Sequence, residues 1–306
     1  APSTFNQIQE GQLYFNSTAN AFKETITDIA GATWASGGNL NTARGFGSCF
    51  GTQTAAIFAA GYTGTNSPAV ENYNGTSWTE VAEVNTVRRE MFGFGTASAG
   101  LKIGGRPPRV ANVEEWDGSS WTEVNDLNTV RSDGLSSWGT LTSGLVATGA
   151  ADPGAVANVE SWNGTSWTET TDVNTARVTA MGLGTSSGDG LVIGGDPNRV
   201  IVEQYDGSSW TEITDINTGR QHAASSGTAT LGIVFAGYDP DGKTETEFWN
   251  GSTWTEVADL STSRYGLGGS SNGSFASGLA FGGYPGPTNN TEEWTADLAN
   301  KTITAS

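Results

Sequence analysis

Residues 113–131 read Val113-Glu114-Glu115-Trp116-Asp117-Gly118-Ser119-Ser120-Trp121-Thr122-Glu123-Val124-Asn125-Asp126-Leu127-Asn128-Thr129-Val130-Arg131. Two short runs, 113–116 and 121–124, flank an Asp-Gly pair. Asn-Gly and Asp-Gly suit a tight hairpin because both residues tolerate positive φ. The aromatic-Asn/Asp-Gly turn followed by Trp recurs at 73–78, 162–167, 205–210 and 249–254. The closing segment Asn128-Thr129-Val130-Arg131 recurs with variants that end at Arg44, Arg88, Arg177, Arg220 and Arg264. Successive arginines are 44, 43, 46, 43 and 44 residues apart. A third motif keeps step with these, a glycine pair or variant at Ala60-Gly61, Gly104-Gly105, Gly149-Ala150, Gly194-Gly195, Ala236-Gly237 and Gly282-Gly283.

One period assembles into four strands. A short strand follows each Arg and ends in a Gly-Thr turn, as at Gly51-Thr52. An apolar run such as Ala55-Ala56-Ile57-Phe58-Ala59 comes next, and its continuity implies burial on both faces. After a variable loop come the two hairpin strands. Such a sheet cannot cover its own faces, but sheets stacked radially cover one another, which is the β-propeller solution. Ten of the eleven Trp occupy the two repeat slots, which predicts packing between blades; Trp138 does not. Each second-slot Trp precedes its Arg by ten residues, and Trp34 precedes Arg44 by the same ten. Trp34 therefore reads as the fourth strand of the blade that begins at Arg264. The expected fold is all-β, a six-bladed propeller closed by an N-terminal strand. A rival assignment makes Lys301-Thr302-Ile303-Thr304 the last strand, or joins it to the N-terminal segment as a small seventh sheet. Residues 1–30 stand outside the repeat. Gly11 to Asn16 and Ala21 to Ile26 read as a β-hairpin, a docking arm preceding a propeller domain over 31–306.

The Arg-led strand, glycine pair, aromatic-Asn/Asp-Gly turn and following Trp resemble kelch repeats, which build propellers such as that of galactose oxidase. More closely, the units resemble repeat proteins of marine bacteriophages, and that similarity covers nearly the whole chain. The resemblance implies a virion component of the tail-fibre or appendage type, on the virion surface or otherwise extracellular. Residues 1–30 would then dock on other virion proteins.

The chain carries 14 basic and 32 acidic residues, a formal net charge of -18. Such a field repels nucleic acid and anionic membranes, and no apolar run approaches the roughly 20 residues of a membrane span. The expectation is no nucleic acid partner and no membrane insertion. With one His and one Cys, the copper site of galactose oxidase cannot be assembled, nor a zinc site. No metal and no cofactor are expected. His222 follows Arg220-Gln221 where other periods carry Phe46, Glu90, Asp133, Thr179 and Gly266, and reads as lining the channel or core. Cys49 reads as a small core residue. Most carboxylates recur in five or six periods, as structural residues do, whereas an active site occurs once per ring. Asp239-Pro240-Asp241-Gly242 reads as a solvated turn.

Strand alternation puts the variable loops and the six Arg-bearing connections on one face of the disc and the uniform Gly-Thr and Asn/Asp-Gly turns on the other. Eight of nine prolines fall in the variable loops. Loops that differ on a repeated scaffold are where recognition is grafted. The candidate ligand-binding residues are Tyr62, Arg106, Arg109, Asp196, Arg199, Tyr238, Asp239 and Tyr284. The arginines are expected to be exposed anchors and the tyrosines open platforms for a sugar ring. Arg44, Arg88, Arg131, Arg177, Arg220 and Arg264 are expected to form a structural ring, each paired with a fourth-strand carboxylate or stacked on a Trp. The function expected is non-catalytic: attachment to a host-surface glycan or receptor, or an architectural role, in a chain that could form a homo-oligomer. The alternative is a glycan-active depolymerase.

Overall fold

The computed structural model describes residues 13–16, 21–134 and 136–302. Among them every regular element is a strand, and six four-stranded antiparallel sheets form a six-bladed β-propeller. Blade 1 comprises Ser48–Thr52, Ala55–Ala59, Val70–Tyr73 and Trp78–Val81 in that order across the sheet. Blades 2 to 5 repeat this over residues 92–124, 137–169, 181–212 and 224–257. Blade 6 takes Gly268–Gly269, Ser277–Phe281 and Thr291–Thr295 from the end of the chain and its fourth strand, Thr33–Ser36, from the beginning. Trp34 faces Trp294 across that pairing, as Trp121 faces Trp116 in blade 2.

The core is divided into six clusters, each shared by two successive blades. Phe50 and Ile57 of blade 1 pack with Met91, Trp116 and Trp121 of blade 2. At the ring junction Leu279 and Phe281 of blade 6 pack with Tyr73 and Trp78 of blade 1. Each second-slot indole also donates back to the preceding blade, as from Trp121 to the Ala82 carbonyl at 3.1 Å and from Trp34 to Thr246 Oγ1 at 3.0 Å. This satisfies the one polar atom of a large apolar group. Trp138 lies in the first strand of blade 3, buried against Gly182, Gly184 and Gly190 of blade 4. A Cβ at any of the three would come within 2.7 Å of the indole.

Two rings of backbone hydrogen bonds bind the blades near the loop face. The glycine pairs, whose first residues have φ of 56–64° and second residues 93–115°, turn each second N–H onto the carbonyl of the next blade's repeat arginine at 2.8–3.3 Å. In blade 3 the pair is Thr148-Gly149, one residue earlier than the sequence suggested. Inside this ring, Phe46, Glu90, Asp133, Thr179, His222 and Gly266 all adopt φ of 53–59°. Each N–H donates to the carbonyl of the residue in the preceding blade at 2.7–3.1 Å, and Phe46 donates to Gly266, so the circle closes. That ring caps the axial channel. Below it lies a cavity of about 30 Å³ lined by Cys49, Met91, Ser137 and Met181 among others. At the opposite mouth the Asn272 side chain reaches across to the Gly139 carbonyl (2.7 Å).

The expected hairpin is present as Leu13–Asn16 paired with Ala21–Thr27, and a third strand, Leu298–Thr302, pairs with the second. Blade closure by Trp34 and a small seventh sheet thus coexist. Residues 1–12, 17–20 and 303–306 of that arm lie outside the described residues.

One core position departs from the repeat. Lys102 stands where Phe58 and Val146 fill the neighbouring blades, and its ammonium donates to Glu114 Oε1 and the Thr86 carbonyl, both at 2.7 Å. Burial, with the Arg88 charge beside it, pushes its pKa down to about 7 from 10.5. Between those values the unfolded chain binds the proton more firmly than the folded one, so this group makes stability rise with pH. Below pH 7 its full cost is present. Lys102→Met is expected to stabilise the protein by about 1–4 kcal/mol at pH 7 and below, with the gain shrinking toward pH 10.5. Denaturant melts of both proteins across that range check this; a gain that is flat with pH would refute it.

Candidate binding face

The loop face rests on six buried ion pairs. Every repeat arginine is at most 1% exposed and meets the third-strand glutamate of its own blade: Arg44–Glu71, Arg88–Glu114, Arg131–Glu160, Arg177–Glu203, Arg220–Glu247 and Arg264–Glu292. The expected fourth-strand partners are instead exposed on the rim: Glu80, Glu123, Glu169, Glu212 and Glu256. The ring stacked against a repeat arginine is Phe58, 4.6 Å from Arg44, rather than a Trp. In five blades Nη1 of the arginine also donates to the first glycine-pair residue and to the residue entering the third strand, as Arg131 does to Thr148 (3.3 Å) and Asn158 (2.7 Å). In these five blades one guanidinium therefore holds both ends of the variable loop. Its glutamate accepts backbone N–H groups of the preceding connection, from Asn128 at 2.7 Å and Thr129 at 3.1 Å in blade 3.

On this base each blade presents three residues near the axis. The residue after the repeat arginine bridges to the residue after the glycine pair, giving Gly45/Tyr62, Arg89/Arg106, Ser132/Ala150, Val178/Asp196, Gln221/Tyr238 and Tyr265/Tyr284. The third is the member of the inner ring. The scaffold thus fixes eighteen positions whose chemistry differs from blade to blade.

Blades 5, 6 and 1 carry an aromatic arc. Tyr238 meets Tyr265 at 5.1 Å, Tyr265 meets Tyr284 at 6.2 Å, and Tyr284 packs on Phe46 at 5.1 Å and stacks on Tyr62 at 6.2 Å. The Arg89 guanidinium sits 4.5 Å over Tyr62. His222 is edge-on to Phe46, and burial pushes its pKa down to about 4, so it is a neutral ring at ordinary pH.

Blades 2 to 5 carry an ionic arc. Arg106 pairs with Glu90 and, at 3.1 Å, with Asp133. Arg109 reaches Asp133 at 3.7 Å and the exposed Asp152 at 2.9 Å. Arg199 pairs with Asp239 and, at 3.2 Å, with Asp196. Burial and a hydrogen bond with Asp133 raise the Glu90 carboxyl to about 7. Asp133 is half-buried too, yet its pKa stays below the ordinary value because Glu90, Ser132, Arg106 and Arg109 all favour its charge.

The structure therefore gathers all eight candidate residues on one face but changes their state. Arg106, Arg109 and Arg199 are not open anchors: their forks are engaged by loop carboxylates, including the candidates Asp196 and Asp239. Tyr62, Tyr238 and Tyr284 are half-buried members of a stacked arc rather than open platforms. Sequence reasoning passed over Arg89 and Tyr265, and treated Glu90 and Asp133 only as scatter at the His222 position. The signal was there: the two residues after each repeat arginine vary in every period. No protein-family model matches the sequence, and no curated protein matches it.

Proposed function

We propose that the protein is a non-catalytic recognition module, a kelch-type propeller displayed on the exterior of a bacteriophage virion, whose loop face attaches to a host-surface glycan. The single observation that carries this reading is the segregation of variation. Scaffold residues recur in six blades, while the side chains varied from blade to blade converge on one face, around a closed backbone ring. A rigid frame with differing loops suits recognition. The likeness of the repeat unit to phage repeat proteins supports the setting, and the three-stranded arm is the part proposed to dock on other virion proteins. Glu90 and Asp133 share one guanidinium, that of Arg106. With that guanidinium holding both carboxylates, the pair is assigned to shaping the face.

The test is attachment to immobilised bacterial surface polysaccharides. Arg109→Ala and Tyr62→Ala are expected to weaken binding about tenfold, or about 1.4 kcal/mol. Arg109→Ala should leave Tm nearly unchanged, since a partly exposed ion pair contributes little. Asn74→Ala and Asn163→Ala, in turns of the opposite face, should bind as the parent does. Loss on the asparagine changes with retention on the other two would place the site on the wrong side. Sustained release of reducing ends, abolished by Glu90→Gln, would overturn the non-catalytic reading.

A further inference from the structure

We propose that the ligand of the loop face is an uncharged saccharide bearing vicinal hydroxyls, not an acidic one; the inference rests on the assignment of that face to glycan binding.

The placement of charge carries the argument. Of the 14 Lys and Arg, the six repeat arginines and Lys102 are buried in the blades, and Lys23 and Lys301 lie on the three-stranded sheet. The other five, Arg89, Arg106, Arg109, Arg199 and Lys243, are all on the loop face. Seven carboxylates of the inner ring and variable loops share that face with them, Glu90, Asp133, Asp152, Asp196, Asp239, Asp241 and Glu245. The Arg-bearing connections add Glu83, Asp126, Asp172, Asp215 and Asp259, all exposed. The face therefore gathers the remaining cations of the protein and still carries more carboxylates than cations. A carboxylated or sulfated chain would approach a protein of net charge -18 whose rim is lined by exposed glutamates. It would then meet guanidinium groups already engaged by Asp133, Asp152, Asp196 and Asp239, and would have to displace one of them.

A neutral sugar meets no such conflict. In Arg109–Asp152 (2.9 Å) a donor and an acceptor stand side by side at the surface. Neighbouring ring hydroxyls each donate and accept, so one can accept from the guanidinium while the next donates to the carboxylate. Charged partners strengthen both bonds. Beside this lies the aromatic arc, where the C–H face of a pyranose can pack on the exposed parts of Tyr62 and Tyr284. Acid and arginine on one side and tyrosines on the other match the two kinds of surface that a neutral sugar ring presents.

The test uses the full chain and matched oligosaccharides: neutral hexamers of glucose, galactose and mannose, against galacturonate hexamers and sulfated galactan of the same length. A neutral class should bind at least about tenfold more tightly than any acidic one. Its Kd should change less than about twofold between about 50 and 500 mM NaCl, since no ion pair forms with the ligand. Asp152→Ala should weaken that binding as much as Arg109→Ala does. Tighter binding of an acidic oligomer through the same residues, with affinity that falls as salt rises, would overturn this inference and leave the loop face intact as the binding surface. If none of the oligosaccharides binds, or binding survives Arg109→Ala combined with Tyr62→Ala, the assignment of the face itself fails.

Discussion

A chain beginning at Gly37 is expected to lose the cooperative unfolding transition of the full protein. The deletion removes Thr33–Ser36, which completes blade 6 by pairing with Thr291–Thr295. It also removes Trp34, which packs 5.5 Å from Trp294, lies edge-on to Phe235 of blade 5 at 4.9 Å and bonds Thr246. Truncating a fully buried Trp costs about 3–5 kcal/mol, and the half-buried Trp34 accounts for part of that. The deletion adds an unpaired strand edge at the one place where the ring is not continuous in sequence. Total stability of a domain is about 5–15 kcal/mol, so these losses remove most of it. A circular permutant separates ring closure from chain length. The Asp28 N–H donates to the Asp297 carbonyl at 2.7 Å, so these two points are adjacent. A chain starting at Gly38, running to Asp297 and continuing through a short linker into residues 28–37 makes blade 6 contiguous. It should melt in one cooperative step. A truncated chain that melts like the parent, followed by circular dichroism, would show that the fourth strand of blade 6 does not hold the ring.

The closure was readable because it follows from spacing: a constant ten residues from Trp to Arg puts Trp34 in register with five later copies. The inter-blade role of the tryptophans was readable for a related reason, since a sheet with two apolar faces needs a neighbour on each. The partner of the repeat arginines was misassigned although counting could have found it. The second position of the third strand is Glu in all six blades, one for each arginine, whereas fourth-strand glutamates number five, because Trp34-Ala35-Ser36 replaces the usual Trp-Thr-Glu. The state of the loop residues was not readable. Whether Arg109 points to solvent or to Asp152, 43 positions away, depends on how adjacent blades set their loops side by side, and no periodicity encodes that. The inner ring shows the same limit. Its six members differ in side chain because their common element is a left-handed backbone, which leaves no residue signature beyond tolerance of the strain.

Glu160→Ala is expected to destabilise the protein by about 3–5 kcal/mol, because it leaves a buried guanidinium without its counter-charge. The loss extends beyond one pair. Glu160 Oε2 accepts from the Asn128 N–H at 2.7 Å and side-chain amide at 3.0 Å, Oε1 accepts from the Thr129 N–H at 3.1 Å, and Arg131 clamps both ends of the blade 3 loop. Without the carboxylate, two connections of the loop face lose their common anchor. Glu80→Ala, an exposed fourth-strand glutamate, is the matched control and should stay within about 0.5 kcal/mol of the parent. The double change Arg131→Leu with Glu160→Leu removes the stranded charge and should recover part of the loss. It should not recover all of it, since the Asn128 and Thr129 N–H groups remain without an acceptor. Urea melts of the four proteins decide the matter. Equal effects at Glu80 and Glu160 would return the ion pair to the rim, and full recovery in the double variant would reduce the glutamate to a counter-ion. The expected order, with Glu160→Ala lowest and the double change between it and the parent, makes the buried pair the joint that transmits the ring's rigidity to the loops. Ligand affinity should then fall in Glu160→Ala even though residue 160 is buried and presents nothing to a ligand.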